Sequence, residues 1–276
     1  MSDPYNTGTA IALTIAGSDS SGGAGIQADL KTFTALGVYG ASVITAITAQ
    51  NTQGVQVVLT LPGSIIAAQM ASIASDLRVG AIKTGMLGDL ATVETVAKGL
   101  PQFGGAPLVV DPVMVATSGD VLLAPDAIDA VRTRLFPLAD LVTPNLREAA
   151  RLLDSPIATS LDEMEAQAKS LLALGAKAVL LKGGHGEGPE ATDILVTAAT
   201  TTRFTAPRIA TRNTHGTGCT LAAAIAARLA EGDPLAAAVD AAKAYVWQAI
   251  EAGRTLAVGQ GDGPVDHLHA IRRHKS

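Results

Sequence analysis

The sequence contains a single cysteine, Cys219, so no disulfide can form within the chain. This absence suits a reducing compartment, and the first residues lack the basic start and apolar run of a signal peptide, so we expect a cytoplasmic protein. Basic residues are also few, because 20 lysines and arginines stand against 25 acidic residues. Without a broad basic surface, we expect a small-molecule partner and no nucleic acid.

Charge is missing altogether between Thr32 and Ser75. An uncharged stretch of this length invites comparison with a membrane segment. However, Gln50–Gly54 and Pro62-Gly63 interrupt it, and no apolar run approaches the roughly 20 residues that span a bilayer. We therefore predict buried strands and a packed helix in this region, and no membrane association.

Short aliphatic or β-branched segments alternate with longer Ala/Leu-rich segments, which is typical of a parallel sheet with crossover helices. We predict an α/β fold with the order strand–helix–strand throughout, in a single domain covering residues 1–276. The predicted strands are Ile11–Ala16, Ala41–Ala46, Val55–Leu59, Ala81–Thr84, Leu108–Asp111, Leu141–Thr143, Ala178–Leu181 and Ile194–Val196. The predicted helices are Ile26–Leu36, Pro62–Ser75, Ala91–Leu100, Pro125–Leu135, Leu146–Leu153, Leu161–Leu174, Cys219–Leu229 and Pro234–Glu251.

Ligands of open α/β sheets bind at the carboxyl ends of strands, and several predicted strands end in residues that carry chemistry. The first strand runs into Gly17–Gly25, a glycine-dense turn before a helix. Glycines let the backbone approach a ligand, and a helix N-terminus offers unpaired N–H groups to an anion or a polar ring. Tight-turn geometry alone would explain the glycines equally well.

Two further strand ends supply carboxylates. Asp111 follows an aliphatic strand and could hold Mg²⁺ or its water shell, with Glu148 as a second candidate, because magnesium takes one or two protein carboxylates plus phosphates. Asn145 and Glu148 could instead form a capping box at the start of a helix. The two interpretations can coexist.

Lys182 stands at another strand end, before the glycine-rich segment Gly183–Pro189. Its ammonium could neutralise a triphosphate, although a solvated lysine in a glycine turn is the simpler alternative. The glycine content also makes Gly183–Pro189 our candidate for a mobile flap over the site.

The most specific segment is Asn213–Thr220, with the sequence NTHGTGCT, which opens an apolar helix. Its small residues direct the backbone N–H groups of Gly216–Cys219 toward one point, where the helix dipole favours negative charge. Phosphoryl transfer depends mainly on positioning and electrostatics. We therefore predict an anion hole for phosphoryl transfer, with a plain glycine-rich helix cap as the alternative.

These segments resemble the ribokinase-like small-molecule kinases, whose signature is a G-x-G-[D/C] turn that opens a late helix. More closely, they are similar to the hydroxymethylpyrimidine/phosphomethylpyrimidine kinases of thiamine biosynthesis over nearly the whole chain. The matching segments are Ala12–Thr32, Val43–Ala46, Ala49–Thr52, Lys83–Leu87, Asp111–Met114, Thr143–Asn145, Lys182–His185 and His215–Thr220.

The resemblance implies a three-layer αβα fold with a central, mostly parallel sheet, and a homodimer. It also implies a kinase that phosphorylates 4-amino-5-hydroxymethyl-2-methylpyrimidine and then its monophosphate, using ATP and Mg²⁺. The amide of Gln50, which is both donor and acceptor, would bind the aminopyrimidine edge. The implied substrate pocket is Gly17, Ala24, Asp29, Gln50, Met86 and Val113. The other implied residues are Asn145, Lys182, Thr217 and Lys243 for ATP, Asp111 and Glu148 for Mg²⁺, and Gly216, Gly218 and Cys219 for the anion hole.

Cys219 stands where many ribokinase-like enzymes carry an aspartate base. A thiol at a helix N-terminus can have a lowered pKa, so we expect that it could take the proton of the substrate hydroxyl, unless it is only a small buried residue. The second substrate is itself a phosphate and needs no base. A permanent carboxylate at this position would repel it.

Two alternatives remain. A pyridoxal kinase of the same cysteine-bearing branch would also act on a hydroxymethyl group beside a ring nitrogen, although Ala49–Thr52 and Gly216–Gly218 favour the pyrimidine kinase. A pyrimidine-binding protein without turnover would be expected to lose the lysine, the carboxylate or the anion hole, and all three are present.

Overall fold

The computed structural model describes residues 8–115, 120, 122–184 and 188–271. The strands are β1 (Ile11–Ala16), β2 (Tyr39–Ile44), β3 (Ala46–Asn51), β4 (Gly54–Thr60), β5 (Ala81–Thr84), β6 (Leu108–Val110), β7 (Leu141–Val142), β8 (Ala178–Leu181), β9 (Glu190–Thr197) and β10 (Thr201–Pro207). The α-helices are α1 (Gly25–Ala35), α2 (Gly63–Ala74), α3 (Leu90–Gly99), α4 (Pro125–Ala130), α5 (Leu146–Leu153), α6 (Leu161–Leu172), α7 (Thr217–Ala230) and α8 (Leu235–Gly253).

Eight strands form one sheet in the order β10-β9-β8-β7-β6-β5-β1-β2. The six strands from β8 to β2 in this order are parallel, whereas β9 and β10 are antiparallel to their neighbours. Helices cover both faces, so the predicted three-layer, mostly parallel αβα architecture is confirmed. Among the described residues, no helix has the length and apolarity that a membrane span requires.

The two faces of the sheet bury different side chains, as the two-residue period of a strand requires. On β1, Leu13 and Ile15 pack into a core formed with helices α2 to α6, whereas Ala12 packs with α1, α7 and α8. Helix α7 has an uninterrupted buried run from Ala222 to Ala227. Its small side chains let α7 lie close to the sheet, with the start of the helix at the sheet's carboxyl edge.

The expected strand–helix–strand order is wrong at two places. Strands β3 and β4 form a separate antiparallel pair outside the main sheet, and β9 and β10 form an antiparallel pair at its edge. Sequence patterning missed β3 and β10. Strand β10 is a polar edge strand whose side chains alternate between exposed and half-buried, so it lacks the apolar run of a central strand.

The parallel strands β1, β5, β6, β7 and β8 all end at one edge of the sheet. Thr84 of β5 pairs with Ile15 of β1 and with Val110 of β6, so these strands end nearly level with one another. An isolated bridge between Asn145 and Lys182 continues the alignment beyond β7 and β8. The strand ends that carry the candidate site residues therefore lie along one edge of the sheet.

Candidate active site

A cleft of about 960 Å³ lies along this carboxyl edge. Its size falls in the range of small-molecule sites, roughly 300–1,000 Å³. It gathers all of the predicted site residues except Asp29. Those that line it are Gly17, Ala24, Gln50, Met86, Asp111, Val113, Asn145, Glu148, Lys182, Gly216, Thr217, Gly218, Cys219 and Lys243.

The turn after β1, residues 17–25, is the first glycine loop, and it is organised around Asp19. One carboxylate oxygen, Oδ1, accepts hydrogen bonds from the N–H and Oγ of Ser21, at 2.8 and 2.7 Å. The other, Oδ2, accepts from the N–H groups of Gly23 and Ala24, at 3.1 and 2.8 Å. Burial alone would raise the pKa of Asp19, but these bonds and one from His215 hold it well below its usual range. The carboxylate is therefore ionised.

Residues 213–220, the second glycine loop, touch the first. His215 Nε2 lies 2.9 Å from Asp19 Oδ2. Gly216 has a φ of +79°, and a Cβ placed on it would lie 1.9 Å from the carbonyl oxygen of Gly23. Only glycine combines this left-handed conformation with so close an approach.

Helix α7 begins immediately after Gly216. The N–H of Thr220 donates to the carbonyl oxygen of Gly216 at 2.8 Å, which closes the first helical turn. Within the described part of the chain, the N–H groups of Gly218 and Cys219 have no hydrogen-bond partner. Both residues line the cleft, so the helix offers two unpaired donors and its positive dipole end to a bound anion.

The thiol of Cys219 does not have the lowered pKa that its helix position predicts. Burial raises the pKa to about 11, against an opposing effect of Lys83 and of the N–H of Gly25, and the carboxylates of Asp29 and Asp111 raise it further. The expected lowering of the thiol pKa is therefore contradicted, whereas the place of Cys219 in the anion hole stays a prediction. Cys219 is a neutral thiol near pH 7.

Beneath the start of α7, Asp111 and Lys182 form a largely buried ion pair, with 2.8 Å between Nζ and Oδ1. Thr143 Oγ1 donates to the same carboxylate oxygen at 3.1 Å. A Cβ on Gly218 would lie 3.3 Å from Lys182 Nζ and 3.9 Å from Asp111 Oδ2. The ammonium and the second carboxylate oxygen therefore lie next to Gly218, in the first turn of α7.

Asn145 and Glu148 form the capping box at the start of α5. The N–H of Glu148 donates to Asn145 Oδ1 at 2.9 Å, and Glu148 Oε2 accepts from the N–H of Asn145 at 2.7 Å. Burial raises the pKa of Glu148 to about 7, and Asp111 adds to the effect while Lys182 opposes it. The capping interpretation is confirmed. The cleft also contains a carboxyl group, near Lys182, whose pKa lies close to neutral pH.

Asp29 is placed differently from our prediction. It does not line the cleft but is fully buried beneath it, where its carboxylate binds Lys83 Nζ at 2.8 and 3.0 Å and accepts from Thr14 Oγ1 at 2.6 Å. Burial opposes the charge of Lys83, but Asp29 outweighs burial and raises the lysine pKa above its usual value. The residue that reaches the cleft wall is therefore Lys83, and Asp29 holds it there.

Gln50, the residue before the last of β3, lies on the side of the cleft near the first glycine loop. A register shift between Ala49 and Gln50 turns the strand, and the Gln50 backbone exchanges hydrogen bonds with Ser20 Oγ at 2.7 and 2.8 Å. Met86 packs so tightly on Gly17 that a Cβ there would lie 2.2 Å from Met86 Cε. These residues build one polar and one apolar wall around a space suited to a small ring.

The other end of the cleft is formed by α8 and the segment after β10. Lys243 Nζ is held by Asp193 Oδ2 at 2.7 Å and by the carbonyl oxygen of Ala191 at 2.9 Å, so its ammonium is already paired. Val246 and Trp247 extend this wall. The resemblance implied Lys243 and nearby residues of the last helix, but did not single out the indole of Trp247. Residues 185–187, at the centre of the predicted flap, lie outside the described residues.

Comparison with known proteins agrees with this geometry. The profile of the family described as phosphomethylpyrimidine kinase matches residues 19–266. The chain belongs to the phosphomethylpyrimidine kinase family. A hydroxymethylpyrimidine/phosphomethylpyrimidine kinase of Rhizobium meliloti (strain 1021) is 60% identical over 261 residues, which cover 95% of this chain and 98% of the relative.

Two further relatives broaden the comparison. A thiamine biosynthesis bifunctional protein of Geobacter sulfurreducens is 50% identical, and the match covers 94% of this chain and 52% of that longer protein. The structure of a pyridoxal kinase from Staphylococcus aureus in complex with AMP-PCP and pyridoxal superposes with a TM-score of 0.88 at 36% identity, covering 96% of this chain and 95% of that one. The phosphomethylpyrimidine kinase family thus shares its ribokinase-like fold with pyridoxal kinases.

For this member of the phosphomethylpyrimidine kinase family, the residues that sequence reasoning missed are those that hold others in place. Asp19, Lys83 and His215 lie inside the motifs that carried the resemblance. Each is an ionisable side chain within a glycine-rich turn or a buried strand. Because a buried charge needs a partner, this placement is the sequence signal that could have identified them. The partners themselves are distant in sequence.

Proposed function

We propose that this chain transfers the γ-phosphate of ATP to the hydroxymethyl group of 4-amino-5-hydroxymethyl-2-methylpyrimidine and then to the resulting monophosphate, as a step of thiamine biosynthesis. The observation that carries the proposal is that the Lys182 ammonium lies beside Gly218 in the same cleft as the unpaired N–H groups of Gly218 and Cys219. Such a group of donors stabilises the charge on a transferring phosphoryl group.

Each side of the cleft has its own part in the reaction. The unpaired N–H groups and Lys182 hold the phosphoryl oxygens, while Asn145 and Thr217 border the remaining nucleotide phosphates. The wall with Trp247 receives the base, with Lys243 at its edge. On the opposite side, Gln50 binds the aminopyrimidine edge between the apolar walls of Met86 and Val113, with Gly17 and Ala24 allowing the ring to approach.

The donor set also fits Mg²⁺. Asp111 Oδ2 has no hydrogen-bond partner among the described residues, and the carboxyl of Glu148 is buried beside it with a raised pKa, so both would gain from a divalent cation. Asp111 and Glu148 would hold the ion with the nucleotide phosphates, where it supplies charge neutralisation. Asp111 also keeps Lys182 oriented.

The proposed function is tested by measuring ADP formation and phosphorylated product with hydroxymethylpyrimidine, its monophosphate and pyridoxal. We expect turnover of both pyrimidines with a higher kcat/KM than for pyridoxal. Pyridoxal is the second candidate substrate because the Staphylococcus aureus pyridoxal kinase shares this fold. A preference for pyridoxal would overturn the assignment, and binding without turnover would favour the pyrimidine-binding protein.

Replacing Cys219 with aspartate should damage the second phosphorylation more than the first. The wild-type thiol is neutral because its pKa is raised to about 11, so it tolerates a phosphate acceptor next to the unpaired N–H groups. A carboxylate would repel that anion, whereas the alcohol of the first step carries no charge. Separate kcat values for the two steps provide the measurement, with Cys219→Ser as the uncharged control. Equal losses in both steps would contradict the proposal.

We propose a homodimer that uses the outer face of the β3–β4 pair. Val57, Leu59 and Ile47 are 60%, 62% and 43% exposed there, although their apolar side chains favour burial. A Val57→Asp/Leu59→Asp variant should give a monomer by light scattering, while Leu138→Asp, at a separate exposed leucine, should not. A wild-type monomer would exclude the dimer.

We also propose a single domain, because both cores share one sheet.

A further inference from the structure

We propose that Asp19 and His215 form a positioning pair that fixes the distance between the phosphate acceptor and the anion hole. The inference rests on the proposed kinase reaction. It assigns a role to two residues that belong neither to the substrate pocket nor to the phosphate site named above. Each lies in one of the two glycine loops, 196 positions apart in the sequence.

Both carboxylate oxygens of Asp19 accept hydrogen bonds from neighbouring residues. Oδ1 fixes the turn at Ser21, and Oδ2 is shared between the N–H groups of Gly23 and Ala24 and the ring of His215. An ionised carboxylate only accepts hydrogen bonds, so Nε2 of His215 carries the hydrogen. The same oxygen therefore holds the backbone of the first loop and the side chain of the second.

His215 is fixed from its own side as well. It is 6% exposed, and its backbone N–H donates to the carbonyl oxygen of Gly263 at 3.0 Å. The ring lies against the first loop so closely that a Cβ on Gly23 would be 2.3 Å from His215 Cδ2. Asp19 and His215 thus meet at a packed contact between the two loops.

The consequence for catalysis follows from the residues next in sequence. Ala24, which donates to Asp19, lines the substrate side of the cleft, and Gly216, which follows His215, immediately precedes the helix with the unpaired N–H groups. A shift of the loops relative to each other would move the acceptor oxygen away from the phosphorus atom. Misplacement by about 1 Å can cost about 10²-fold in rate.

The geometry also argues against a role for Asp19 as the base. Asp19 already accepts five hydrogen bonds, which leaves it poorly placed to take a proton from the substrate. In the first transfer, the acceptor oxygen bonds to the γ-phosphorus, the bond from that phosphorus to the bridging oxygen of ADP breaks, and the hydroxyl proton passes to an oxygen of the transferred phosphoryl group. The pair keeps the acceptor, rather than water, in line for this exchange.

The test compares three variants of the full chain. His215→Leu removes the donor, His215→Gln retains an amide donor of similar reach, and Asp19→Asn weakens the acceptor. The control is His269→Leu, at a histidine that bonds Asp266 and Gln248 and does not line the cleft. For each, we measure kcat and KM for both pyrimidines, ADP formed per phosphorylated product, and Tm.

We expect His215→Leu to lower kcat for the first transfer by about 10²-fold, with a smaller change in the KM for ATP. It should also form more ADP than product, because water replaces the misplaced alcohol and yields inorganic phosphate. His215→Gln should recover most of the rate and restore equal amounts of ADP and product. A purely structural role would lower Tm without changing that ratio.

A double variant completes the test. If the two residues act as one unit, Asp19→Asn combined with His215→Leu should lose no more rate than the more damaging of the two single variants. Additive losses, an unchanged ratio of ADP to product, or equal behaviour of His215→Leu and His269→Leu would each overturn the proposal. Should His215→Leu fail to fold, His215→Asn, whose shorter amide cannot reach Oδ2, takes its place. An inactive wild type would instead reject the proposed function itself.

Discussion

Replacing Lys182 with methionine should lower kcat by about 10²–10³-fold, the usual effect of removing one donor to a developing negative charge. Lys182 Nζ would lie 3.3 Å from a Cβ on Gly218, whose N–H has no partner among the described residues, so its ammonium is close to the proposed position of the phosphoryl group. Methionine retains the length and the apolar stem of the side chain. The loss should appear in kcat at saturating ATP.

The same substitution leaves Asp111 without its ion-pair partner, so the loss of stability must be separated from the loss of catalysis. Removing one member of a buried pair costs about 3–5 kcal/mol in the general case. Lys243→Met is the matched control, because its pair with Asp193 is similarly shielded, with lysine side chains 13% and 11% exposed for Lys243 and Lys182.

We expect both variants to show a lower Tm, with a loss of kcat that is far larger for Lys182→Met. Lys243 borders the nucleotide end of the cleft, so Lys243→Met should mainly raise the KM for ATP. Equal losses of kcat in the two variants would mean that the ion pairs support the fold alone, and that Lys182 does not contact the transferring phosphoryl group.

The positions of the site residues could be predicted because topology alone brings them together. Asp111 and Lys182 each follow a short aliphatic strand, and parallel strands of one sheet end at the same edge. No knowledge of side-chain contacts is needed for that inference. Gly17, which follows β1, and Lys182, which follows β8, both line the cleft, as this placement requires.

The partners of buried charges could not be predicted in the same way. Asp29 and Lys83 are 54 positions apart, and whether an aspartate in α1 faces a ligand or a lysine of β5 depends on the rotation of the helix over the sheet. Sequence motifs do not contain that rotation. The assignment of Asp29 to the substrate pocket consequently missed its position beneath the cleft, where its carboxylate binds Lys83.

The thiol of Cys219 shows how competing electrostatic effects limit sequence reasoning. A helix N-terminus lowers a thiol pKa, and that effect is visible in the sequence. Burial and the carboxylates of Asp29 and Asp111 raise it, and these depend on packing. Because the raising effects are larger, the neutral thiol is compatible with an acceptor that carries a phosphate, which is the property that a two-step kinase needs at this position.

The uncharged stretch from Thr32 to Ser75 also differs from the prediction that was based on its composition. Its apolar residues were expected to be buried, yet Val57 and Leu59 of β4 are more than half exposed. Hydrophobicity predicts that a side chain avoids water but does not identify the surface that covers it. We propose a second copy of the chain as that surface, and Gln50, on the neighbouring strand β3, lines the cleft.

The substitution Gly216→Ala should abolish most activity. Alanine at a φ of +79° costs roughly 1–2 kcal/mol in backbone strain, which a stable protein can tolerate. The larger effect is the collision of the new Cβ with the carbonyl oxygen of Gly23, which would lie 1.9 Å away. Because Asp19 and His215 hold the loops in contact, relief requires the loops to separate, and the unpaired N–H groups move away from the acceptor.

Gly232→Ala separates strain from collision. Gly232 follows the other end of α7 with a φ of +93°, and a Cβ there would have no atom within 4 Å. Both variants should lower Tm, but only Gly216→Ala should reduce kcat/KM per folded molecule, by at least about 10²-fold. Full activity in Gly216→Ala would show that the loops can separate without consequence, and would remove the reason for linking the two sides of the cleft.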